Sequence, residues 1–88
     1  MLNFHSYERH IPELTIQGIL RYVTKRIPPG DFLMAVLTNN LKESFGRADA
    51  RNRAALFEIV SLCHNEIPAE CWGSRENVSK WLEVKDEE

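Results

Sequence analysis

Pro28-Pro29-Gly30-Asp31-Phe32-Leu33-Met34-Ala35-Val36-Leu37 is the stretch on which the reading of this chain turns. The two prolines end whatever precedes them, because a proline ring cannot continue a helix and restricts the residue before it. Asp31 is a suitable cap for a new helix. Six consecutive apolar residues then run from Phe32 to Leu37. At about 3.6 residues per turn they spread right round a helix axis, and a helix buried on one face cannot hide them all. Such a helix is either central to its fold or covered on its spare face by another molecule.

The spacing predicts that this helix extends from Asp31 to Gly46, with a core stripe of Leu33, Met34, Leu37, Leu41 and Phe45. Phe32 and Val36 fall about 100° or more from that stripe, on the side shared with Asn39 and Glu43. Those four residues are the expected oligomer or partner interface. Asn39-Asn40 is a poor pair inside a helix, since both side chains compete for backbone hydrogen bonds.

Before the prolines, Ile16, Ile19, Leu20, Val23 and Ile27 keep helical spacing over a run from Pro12 to Arg26. Arg21, Lys25 and Arg26 gather at its end, where they complement the helix dipole. A third run opens at Asp49 and continues to about Asn65, with Leu56, Ile59, Val60 and Cys63 as its stripe. Phe57 and Leu62 flank that stripe and widen the buried arc. A fourth run starts after Ser74 and carries Val78, Trp81 and Leu82 on one face. No segment alternates with period two. The expected fold is all-α, a compact bundle of about four helices with short connections. Residues 1–11 form an N-terminal arm expected to pack loosely, 12–82 the helical domain and 83–88 an acidic tail.

The chain has 88 residues, 43% of them apolar and 27% charged, which is the balance of one globular domain. A domain of this size buries only about 60–65% of its unfolded surface, and self-association would relieve the thin margin. Net charge is −2, from 11 basic and 13 acidic groups. The last six residues hold one of the former and four of the latter, leaving 10 against 9 elsewhere. Nucleic-acid binding ordinarily rests on a clear positive surplus, so that partner is disfavoured. Neither an export signal nor a long apolar span is present, and no membrane association is expected. Cys63 and Cys71 do not make a disulfide framework, and a reducing cytoplasm is the natural setting.

Four features are candidates for function. Arg47, Arg51 and Arg53 crowd the start of the third run, where the helix dipole disfavours cations. They could hold a phosphate or a partner carboxylate, or Asp49 could simply pair with Arg53 four residues on. The Ile27-to-Asp31 turn could present a helix start to a ligand, although stiff turns are usually architectural. Trp72 could be an interface anchor or a stacking platform, or it could pack across the start of the fourth helix onto Val78. Cys63 and His64 are adjacent in one helix and point about 100° apart, so no metal site is expected. There is no glycine-rich phosphate loop, no nucleophile elbow and no H-E-x-x-H pattern. No cofactor and no enzymatic activity are expected.

Ile27 to Lys42, Gly46-Arg47-Ala48-Asp49 and the segment from Asn65 to Cys71-Trp72-Gly73-Ser74 together resemble a family of short phage- and prophage-encoded proteins. Its pattern reads IPPG-F-AVL-N-L … GRAD … N … P … CWGS, and the resemblance spans about residues 16–82. Where that pattern has Asn-Asp, this chain carries Asn39-Asn40, so no carboxylate stands there. The resemblance implies a small protein acting in the host cytoplasm by binding a host factor, or by sequestering a small signalling molecule. The leading expectation is an interaction protein, homo-oligomeric through Phe32 and Val36, that blocks a host protein in an anti-defence role. The alternatives are an oligomeric sponge holding an anionic nucleotide with Arg47, Arg51, Arg53 and Trp72, and a small nucleic-acid-binding regulator.

Overall fold

The structure is a computed structural model and describes residues 4–83. The described chain is all-helical, as expected, but it holds six α-helices rather than about four. They are α1 (Glu13–Lys25), α2 (Asp31–Leu37), α3 (Leu41–Arg47), α4 (Ala50–Ala54), α5 (Leu56–Glu66) and α6 (Arg75–Glu83). Short 3-10 turns lie at His5–Tyr7 and Ala69–Cys71.

Each extra helix comes from splitting an expected one. The run from Asp31 to Gly46 breaks at Asn39, whose backbone takes the left-handed conformation at φ 65°. Asn40 then caps a new helix, its side chain accepting the Glu43 N–H at 3.2 Å. Local side-chain competition at the paired asparagines thus wins over continuation of the helix. The second break is mild. Ala55, at φ −98° and ψ 7°, separates α4 from α5 with only a small departure from helical angles. Asp49 caps α4 as expected, accepting the Asn52 N–H at 2.8 Å. Ser74 does the same for Asn77 at the start of α6. Gly30, not Asp31, occupies the cap position of α2, and Asp31 is its first helical residue.

The break at Asn39 overturns part of the expected core. Because α3 is a separate rod, it turns Ser44 and Ala48 inward and leaves Leu41 and Phe45 on a solvent-facing flank. Val36, expected on the spare face, is only 5% exposed and belongs to the core. Phe32 is half-buried against that same core. Six consecutive apolar residues are therefore accommodated because α2 is a two-turn element that packs against both α1 and α3. Gly18 makes the first approach close: a Cβ there would lie 2.9 Å from Leu33 Cδ1.

Three long-range hydrogen bonds close the globule. Tyr22 Oη donates to the Cys71 carbonyl at 2.7 Å, joining α1 to the second 3-10 turn. Trp81 Nε1 donates to the Tyr22 carbonyl at 3.0 Å, docking α6 on α1, and Arg26 stacks 3.9 Å over the Trp81 ring. The Gly73 N–H reaches the Leu37 carbonyl at 2.7 Å, which satisfies the end of α2. The N-terminal arm also differs from expectation. Phe4 and Ile11 are core residues, and Tyr7 accepts a hydrogen bond from Asn65. Of the acidic tail, Glu83 ends α6 and residues 84–88 lie outside the described residues.

Candidate functional site

Two surfaces flank α3. On one side, α2, α3 and α6 border an open groove of about 580 Å³. Met34, Ala35, Val78 and Leu82 supply its apolar lining, and Asp31, Glu43, Arg47 and Arg75 its charges. Arg47 is held on the wall by two acidic neighbours. Its Nε donates to Glu43 Oε1 at 2.8 Å and its Nη1 to Asp31 Oδ2 at 3.3 Å. All three are exposed, so the pairs order the wall more than they stabilise the fold, contributing about 0–1 kcal/mol each. Thr38 Oγ1 donates back to the Met34 carbonyl and presents only its acceptor side to the groove.

On the other flank, Leu41 and Phe45 stand one helical turn apart and are 72% and 54% exposed. The Arg53 guanidinium lies 4.9 Å from the centroid of the Phe45 ring. Arg53 also donates Nη2 to the Ala48 carbonyl, which fixes it there. Phe57 comes four residues later across the mild joint at Ala55, and Val60 three residues beyond that. Phe57 is 78% exposed. The reason is geometric: Ile59, Leu62 and Cys63 define the buried side of α5, and Phe57 sits about 165° round the helix from their centre. The exposed apolar stripe has two parts, Leu41 with Phe45 on α3 and Phe57 with Val60 on α5, and Arg53 lies against Phe45.

The residues expected to act together are thus divided. Arg47 belongs to the groove wall. Arg53 lies in the stripe, and its side chain stacks on Phe45 rather than pairing with Asp49, whose carboxylate caps α4. Arg51 lines a third depression with Glu8, His10 and Glu13 of the N-terminal segment. Trp72 is half-buried against the core, and its carbonyl accepts from Asn77 Nδ2 at 2.9 Å. It does not line the groove. Glu43 joins Arg47 in the groove wall, while Asn39 serves the turn between α2 and α3. Of the four expected interface residues, Val36 and Phe32 are taken up by the chain's own core. Large apolar side chains are exposed elsewhere instead, Leu41 and Phe45 on α3, Phe57 and Val60 on α5, and Leu14, Leu20 and Ile27 on or just beyond α1.

Sequence reasoning missed two participants. Phe57, expected to widen the buried arc of its helix, is instead exposed, and the signal was legible, since its helical angle lies far from those of Ile59, Leu62 and Cys63. Arg75 carried none, because its place on the groove wall depends on where α6 packs against the rest of the fold.

The buried thiols offer no nucleophile. Burial, and then the neighbouring Cys71, push the Cys63 thiol up to about 12. Burial, followed by the charge of Glu70, pushes Cys71 up to about 11. Both therefore hold their protons at neutral pH and pack as small apolar groups. Among the described residues no three His, Cys, Asp or Glu side chains converge as a metal site, and no helix is long and apolar enough to cross a membrane.

The fold and its surfaces define a small all-α protein with an apolar stripe and an amphipathic groove on opposite flanks of one helix. No protein-family model matches the chain, and no curated protein or solved structure matches it.

Proposed function

We propose that this chain is a non-enzymatic interaction protein of phage origin that binds and blocks a host factor in the cytoplasm, working as a homo-oligomer. One observation carries the reading: Leu41, Phe45, Phe57 and Val60 are large apolar side chains left exposed on α3 and α5. The largest exposed apolar patch on a monomer is often its functional contact surface. Aromatic residues and an arginine are also the residue types that anchor interfaces. The phage origin rests on the IPPG…CWGS resemblance. Affinity capture from bacterial lysate tests the reading when wild type is compared with a Phe45→Ser/Phe57→Ser variant. Retention of a host protein by the wild type and its loss from the variant is expected. No captured protein, or equal capture by both, would contradict it.

The groove favours a second reading, an oligomeric sponge for an anionic nucleotide. Arg47 and Arg75 both line it above apolar side chains, and its volume is within the range of small-molecule sites. Asp31 and Glu43 already engage Arg47, which weakens the case. Titration calorimetry against a panel of cyclic nucleotides decides it. Heat that vanishes with Arg47→Ala and Arg75→Ala supports the sponge, and the absence of heat with every ligand discards it.

A further inference from the structure

We infer that the groove bordered by α2, α3 and α6 takes a small zwitterion, an ammonium and a carboxylate carried on an apolar body, as in an apolar amino acid or a short apolar peptide. The inference goes beyond both proposed readings. It uses none of the exposed apolar residues of α3 and α5, and it gives the groove a ligand other than a nucleotide. Charge is the first argument. Among the described residues, the ionised groups that line the groove divide by sign between its borders. On the border made by α2 and α3, which pack on each other, Asp31 and Glu43 stand against Arg47 alone, an excess of one negative charge. On the α6 border Arg75 supplies one positive charge and no acid lines the groove. A polyphosphate would meet that negative border with several charges of the same sign. A ligand with one charge of each sign matches both borders.

Hydrogen-bonding capacity is the second argument. Arg47 takes a single oxygen from each carboxylate, Glu43 Oε1 and Asp31 Oδ2. Glu43 Oε2 and Asp31 Oδ1 keep their acceptor capacity, and Thr38 Oγ1 adds another, its proton being given to the Met34 carbonyl. An ammonium has three donors and no acceptor, so this border can satisfy one. The opposite border offers donors. Arg75 pairs with no carboxylate among the described residues, and its planar fork fits a carboxylate through two parallel bonds. The remaining lining is largely apolar, with Val78 3% and Ala35 6% exposed, and suits a hydrocarbon side chain better than a sugar. Its volume of about 580 Å³ is in the range of small-molecule sites.

The groove is open and its charges are exposed, so weak binding is expected and nuclear magnetic resonance is the suitable readout. Amide shifts of the isotope-labelled full chain, titrated with leucine, leucyl-leucine and trileucine, test the inference. Saturable shifts along α2 and α6 with at least one of the three are expected, and the length that binds tightest tells amino acid from peptide. The N-acetylated form of that compound lacks the ammonium, and its carboxamide lacks the carboxylate. Each is expected to bind about tenfold more weakly, the scale of one lost hydrogen bond between charged groups. Arg75→Gln and Asp31→Asn are expected to weaken binding by a similar factor with helical circular dichroism intact, since both side chains are exposed. No saturable shift with any of the three, shifts confined to other parts of the chain, or equal binding by either capped form overturns the inference. Shifts in the groove with cyclic AMP and with none of the three also overturn it and leave the nucleotide reading standing. Zwitterion binding without cyclic nucleotide binding supports it and discards that reading.

Discussion

The Arg53 guanidinium stacks 4.9 Å over the Phe45 ring, linking α4 to the outer flank of α3. It covers part of an aromatic side chain that would otherwise face water directly. An exposed contact of this kind contributes about 0.5–1 kcal/mol. Arg53→Ala is therefore expected to lower unfolding free energy by about that amount in urea denaturation. Arg51→Ala, one helical face away, is the matched control and should change little.

Tyr22 ties two distant parts of the chain, its hydroxyl donating to Cys71 across the core. Tyr22→Phe keeps the ring but leaves the Cys71 carbonyl without that donor. The expected loss is about 1–2 kcal/mol, or roughly 4–15 °C in melting temperature for a domain this small. Thermal melts followed by circular dichroism check it, and a shift of under a degree would show the bond to be dispensable.

Asn39 carries the break between α2 and α3 in left-handed geometry. Asparagine tolerates that region, glycine does so freely and β-branched residues do not. Asn39→Gly should leave the urea midpoint nearly unchanged. Asn39→Val should cost about 1–2 kcal/mol, or restore a continuous α2–α3 helix that shows as added ellipticity.

Stability is expected to fall in alkali through the two thiols. An unfolded cysteine ionises near pH 8.5–9, whereas Cys71 and Cys63 keep their protons to about 11 and 12. Between those values the unfolded chain has released protons that the native chain still holds, so ionisation favours unfolding. The contribution is complete below about pH 8.5 and is lost as pH rises towards 11–12. Tyr22, also raised by burial, acts in the same direction above pH 10. Urea midpoints should decline from pH 8.5 to 10.5, and less steeply in Cys63→Ala. Below pH 8.5 both thiols should resist a disulfide reagent until urea is added.

Much of this arrangement could be read from residue spacing. Ile16, Ile19 and Val23 on α1, the Asp49 and Ser74 caps, and the inward Ile59 and Cys63 all follow from helical periodicity and capping chemistry, whereas Leu20, Ile27 and Val60, expected in the core stripes, are exposed. The Asn39-Asn40 pair even carried the signal for a break, but its consequence was tertiary. Once α3 turns as a separate rod, Leu41 and Phe45 leave the line of Leu33 and Leu37, and α2 becomes short enough to bury Val36. Periodicity cannot supply that rotation, because one left-handed residue redirects everything after it. The fate of the three arginines is similar. Their closeness in sequence suggested one site, yet α3, the Ala48 link and α4 send their side chains to three different surroundings.

Whether a partner covers Phe45 and Phe57 can be seen at the two rings themselves, in the fluorine resonances of fluorophenylalanine-labelled protein. Phe4 and Phe32 serve as internal references, one in the core and one half-buried against it. In complex with the host protein retained in the lysate capture, the Phe45 and Phe57 signals should lose the shift between light and heavy water that they show in the free protein. Solvent-sensitive signals from both rings in that complex would contradict the contact reading.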